Sequence, residues 1–82
     1  VEDVMGKMSK DVVPFDGVQV FDTEPVYVTN PFSGDGIELT PVAATVYDIV
    51  MGANALGAYD TVRKGLDWFR RFYPREYMVL LD

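Results

Sequence analysis

The stretch DTVRKGLDWFRRFYP, residues 60–74, decides how this chain folds. At about 100° per residue, Val62, Leu66, Phe69 and Tyr73 fall on one stripe of a helix, with Gly65, Trp68 and Phe72 beside it. Arg63, Lys64, Asp67, Arg70 and Arg71 fill the opposite arc. Asp60 is placed to accept the free N–H groups of the first turn. Pro74 lacks the N–H needed to continue the helix and biases Tyr73 away from helical geometry. Gly65 costs roughly 1 kcal/mol against Ala in a helix interior. Its place inside the apolar arc predicts a packing notch where another backbone approaches. Trp68, Phe69, Phe72 and Tyr73 read as a core stripe rather than a stacking surface for a ligand.

Outward from that helix, the signals stay local and specific. Thr40-Pro41 pairs an N-cap with a proline at the first helical position, where the missing N–H would have been unbonded anyway. The helix it starts is predicted to reach Leu56, with Gly57 as its left-handed stop. Val42, Val46, Ile49, Val50, Ala53 and Leu56 form one apolar face, and Ala43, Ala44, Tyr47, Met51 and Ala55 form a second arc. A helix apolar over most of its circumference must be covered on two sides. The short link Gly57-Ala58-Tyr59 makes the two helices antiparallel neighbours, leaving the second arc to a hairpin or a partner. After Pro74, residues 75–81 read as a short third helix, with a terminal strand as the alternative, and Leu80 and Leu81 call for a docked end.

Towards the N-terminus, residues 18–21 (VQVF) and 26–30 (VYVTN) are short β-branched and aromatic runs that read as strands. Residues 22–25 form the turn or kink between them. Asn30-Pro31 and Ser33-Gly34-Asp35-Gly36 are dense turn chemistry, and Ile37-Glu38-Leu39 alternates like a return strand. A hairpin around a loop of about six residues follows. Residues 1–14 mix charges with Val4, Met5, Met8, Val12 and Val13, interrupted by Gly6, and read as an arm lying on the domain or on another chain. The expected architecture is a single α+β domain: the arm, three short strands with a hairpin over residues 18–39, and a helical part over residues 40–82.

Composition narrows the chemistry. The chain has no cysteine and no histidine, which removes disulfides, thiolate zinc, iron–sulfur clusters and the commonest nucleophile and base pairings. Asp22 and Glu24 could share one face of an extended segment, but a calcium loop needs more oxygen ligands at defined spacing. The glycines of SGDG lack the lysine of a phosphate loop. The expectation is therefore no enzyme activity, no cofactor, no metal and no small-molecule substrate. No apolar run approaches the ~18 residues of a membrane span, and the start lacks the layout of a signal peptide, so a soluble protein without a membrane partner is expected.

Charge is segregated. Residues 1–60 hold ten acids and two lysines, residues 61–75 hold five bases and one acid, and the net charge is −6. The basic surface of Arg63, Lys64, Arg70, Arg71 and Arg75 could follow a phosphate backbone. Against that, Asp60–Lys64, Arg63–Asp67 and Asp67–Arg71 are spaced to pair along the helix surface. The acidic remainder could face a basic partner protein.

The segments NPFSG, ELTP and GLDWFRRFYPREYMVLLD resemble small proteins of tailed bacteriophages, particularly those of marine hosts, over residues 26–82. No activity is assigned to that group, so the resemblance transfers none to any residue here. It implies a phage product in the host cytoplasm or the virion. The expected function is protein–protein interaction, as a small structural component or a regulator of a host protein, through Ala43, Ala44, Tyr47, Met51 and Ala55, with self-association as one form of it. Nucleic-acid binding through the basic helix is the alternative.

Overall fold

Thr40 opens the element against which the others pack. The computed structural model of the chain describes residues 8–81. Helix α1, Pro41–Leu56, begins where the Thr40 side chain accepts the N–H of Ala43 at 3.1 Å. It ends at Gly57, whose φ of 76° lets the last turn close through Ala53 and Asn54 carbonyls. Both boundaries stand where the sequence puts them, because capping chemistry acts within one turn.

Helix α2, Tyr59–Phe72, starts one residue earlier than the sequence suggests, after a link of only Gly57 and Ala58. Ala58 is the cap, its carbonyl accepting from Thr61 and Val62, both at 3.1 Å, and no side chain caps the helix. Asp60 therefore lies within the first turn, favourable to the helix dipole but not the cap. At the far end Tyr73 leaves helical geometry at φ −138°, and Pro74 opens helix α3, Pro74–Leu80. The terminal-strand alternative is thereby excluded. Tyr73 Oη lies 3.3 Å from Thr40 Oγ1, so the end of α2 sits beside the start of α1 and the two helices run antiparallel.

Strands β1, Val26–Thr29, and β2, Gly36–Leu39, pair antiparallel, with Val26 opposite Leu39 and Thr29 opposite Gly36, around the six-residue loop 30–35. Val26, Val28, Ile37 and Leu39 turn towards the helices, and Tyr27, Thr29 and Glu38 face outward. The expected third strand at residues 18–21 is absent. Those residues are irregular, and Val20 and Phe21 are exposed. Pro25 accounts for this: it disfavours helical geometry at Glu24, which the tight turn back onto β1 would need.

One hydrophobic cluster joins the hairpin and the helices, built on Leu39, Ala43, Ala44, Val46, Val50, Trp68, Phe69 and Leu80. Trp68 and Phe69 are fully buried and meet edge to face, ring centres 5.2 Å apart. Gly65 is the notch the sequence predicts, but a side chain fills it. A Cβ there would overlap a Val50 methyl and stand 3.6 Å from the Phe15 ring. The arm does lie on the domain within residues 8–15. Met8, Val13 and Phe15 pack on the core, Trp68 Nε1 donates to the Ser9 carbonyl at 2.9 Å, and Tyr73 Oη donates to the Lys10 carbonyl at 3.4 Å. Val4, Met5 and Gly6, the rest of the expected arm, lie outside the described residues.

Candidate functional site

The apolar arc expected to bind a partner is divided by the fold. Ala43 and Ala44 are buried in the cluster that also holds Leu39 of β2 and Leu80 of α3, so they are core and not an open face. Tyr47 is half-buried against the same cluster, whereas Met51 and Ala55 are exposed. Leu56, expected on the core face of α1, instead stands in solvent past the last packed turn. Leu39 of β2 and Leu80 of α3 share one cluster with the start of α1, a covering that counting neighbours along the sequence underestimates. What remains open is the C-terminal half.

That open half forms one wall of a groove of about 280 Å³. Val50, Met51 and Asn54 of α1 face Val62 and Leu66 of α2, and Leu80 and Leu81 of α3 close a third side. Leu66, expected in the core, lines this groove and is only half-buried. The fourth side belongs to the hairpin loop, through Asn30 and Phe32.

Phe32 is the residue that sequence reasoning missed. It is 97% exposed, the most open large apolar side chain among the described residues. The loop that carries it is nonetheless firmly built. Asn30 Oδ1 accepts the N–H of Phe32 at 2.8 Å and of Ser33 at 3.3 Å, while Asn30 Nδ2 donates to the Val79 carbonyl of α3 at 2.9 Å. Ser33 Oγ accepts from Asp35 N–H at 3.1 Å, and backbone bonds join Asn30 to Gly34 and Asp35. Asn30 thus holds the loop to the helical layer and presents Phe32 at the groove's rim. The available signal was a lone aromatic in an otherwise polar turn, N-P-F-S-G.

No titratable side chain lines the groove, and every polar atom of Asn30 is already bonded. Its volume lies below the ~300–1,000 Å³ of small-molecule pockets. Asp22 and Glu24 are exposed in the irregular segment before β1, and no cluster of three or more potential metal ligands occurs among the described residues.

The basic arc is also divided, though not at the expected spacing. Arg63 pairs with Asp60 at 3.6 Å and Arg70 pairs with Asp67, both three residues apart, in place of the four-residue pairs. Arg70 turns this way because it also donates to Tyr77 Oη at 3.2 Å, tying α2 to α3. The Tyr77 hydroxyl, and then Asp67, hold its guanidinium above the ordinary pKa. Lys64 lies over the Phe15 ring and Arg71 over the Phe72 ring, and Arg75 is exposed. Lys64 and Arg71 line one pocket with Asp67 and Met8, whereas Arg63 and Arg70 are held in ion pairs. No helix among the described residues is long and apolar enough to cross a membrane.

Compared with protein-family models, curated proteins and solved structures, the chain matches none of them.

Proposed function

We propose that this protein is a protein-binding module whose contact is Phe32 and the groove beside it. The observation that carries the reading is a fully exposed aromatic held in place by a hydrogen-bonded loop. A large apolar side chain on a floppy loop loses conformational entropy on binding; one already held by its backbone loses little, and such aromatics dominate interface energetics. Met51, exposed on the adjoining helix, extends the apolar surface. The resemblance to small tailed-phage proteins favours a partner within an assembling particle or a host protein that the phage controls. Nucleic-acid binding ranks second. Lys64 and Arg71 have no carboxylate partner among the described residues, which favours it, but Asp60 and Asp67 already neutralise two of the five cations.

The test is site-specific crosslinking. A photoreactive phenylalanine at position 32 should capture one defined protein from host lysate or assembling particles, and Met51→Glu in the groove wall should abolish that capture without changing the melting temperature. Capture that survives Met51→Glu unchanged would refute the groove as the contact.

A further inference from the structure

The unpaired segment 18–21 and the outer edge of β1 complement one another. Among the described residues, only β2 bonds to the backbone of Val26–Thr29, and no hydrogen bond from another described residue reaches residues 18–21. β1 carries no charge or bulge, though it is only four residues long and follows Pro25, so the edge it offers is short. Residues 18–21 are the sequence Val-Gln-Val-Phe, with strand propensity, and Phe21 is 83% exposed. The chain therefore holds a vacant edge and an idle strand that its own turn geometry keeps apart.

We infer that the β1 edge is a homotypic docking site, and that its occupant is the 18–21 segment of a second copy of this chain. Exchange in both directions gives a two-fold dimer with one continuous six-stranded sheet, in which the two donated segments lie side by side at the centre. Each donated segment then sits two strand spacings, about 10 Å, from its own β1. The four residues 22–25 reach up to about 14 Å, so the connection spans it. The constraint at Glu24 that blocks folding back within one chain does not apply, because no tight turn is required. Four-residue strands place the contact at the small end of interfaces, under ~1,200 Å², so pairing depends on concentration. Each copy carries a net charge of −6 and the donated segment is flanked by Asp16, Asp22 and Glu24, so the copies repel and added salt strengthens the dimer. This inference concerns a different surface from the Phe32 groove and does not rest on it.

The experiment is light scattering of the full chain over a concentration series at low and high salt, with amide hydrogen exchange read at residues 26–29. Val20→Pro removes the central N–H of the donated segment at an exposed position outside the core; Phe32→Ala is the control for the groove. The expected result is a dimer that grows with concentration and salt, slower exchange in β1 as it forms, and an association constant roughly tenfold or more weaker in Val20→Pro but unchanged in Phe32→Ala. Three results would overturn the inference: a monomer at every concentration, a Val20→Pro variant that dimerises like the wild type, or a dimer abolished by Phe32→Ala, which would move self-association to the groove.

Discussion

Trp68 and Phe32 are both large aromatics, and they have opposite fates. Trp68 lies beneath the arm with no exposed surface, its ring wedged among Phe69, Phe72 and Tyr73 and its N–H bonded to the Ser9 carbonyl. Phe32 stands almost wholly in water on a loop with its own hydrogen-bonded frame. The difference does not come from the residues. It comes from backbone placement: a helix stripe delivers its side chains to whatever packs on that face, whereas a braced turn delivers its side chain outward. In the first case the aromatic stabilises the fold, and in the second the fold holds the aromatic for something else.

Substitutions can break this contrast, beginning with the largest effect. Trp68→Ala should destabilise the domain by about 3–5 kcal/mol, because it leaves a cavity and strands the Ser9 carbonyl. For a chain this small that means unfolding near ambient temperature, visible in a thermal melt. A melt within a degree or two of wild type would remove Trp68 from the core. Gly65→Ala comes next: buried Val50 must give way, costing about 1–3 kcal/mol, against which the gain in helix propensity returns roughly 1 kcal/mol. Chemical denaturation should show a net loss of up to about 2 kcal/mol, and a stabilised variant would mean that α1 and α2 slide apart freely.

Asn30→Ala sharpens the other side of the comparison. Losing the bond to Val79 and the two bonds within the loop should cost about 1–2 kcal/mol and free Phe32 to move, read as faster hydrogen exchange at Phe32 and Ser33. Unaltered exchange there would show that Asn30 does not brace the loop. The smallest stability effect belongs to Phe32→Ala, expected within about 0.5 kcal/mol of wild type because little surface is lost from the core. That variant should keep its melt and lose its partner. If it melts much earlier, Phe32 is structural and the functional reading fails.

The same contrast explains which parts of the molecule were legible in sequence. The helical half was, down to Thr40, Gly57 and Pro74, and so were the hairpin and its loop length. The core stripe of α2 also held for Trp68 and Phe69. Leu66 packs against that core as expected but is only half-buried, because it also lines the groove that α1 and α3 leave. The binding arc on α1 fared similarly: Met51 and Ala55 are open, while Ala43 and Ala44 went into the core under β2 and α3. Both ion pairs formed at three-residue and not four-residue spacing, and Arg70, which pairs with Asp67, also donates to Tyr77, seven residues along and on another helix.

By itself, then, the sequence determined the ends of α1, the end of α2 at Pro74, the hairpin and which face of α2 turns inward, though not the start of α2, where Ala58 and not Asp60 is the cap. Caps, prolines and helical periodicity act over a few residues. Tertiary structure alone decided that a groove opens between α1 and α2 and that Phe32 is held beside it. These depend on how much of each apolar surface the neighbouring elements cover. That is settled by contacts between residues far apart in the chain, such as Asn30 with Val79 and Trp68 with Ser9, which no local pattern encodes.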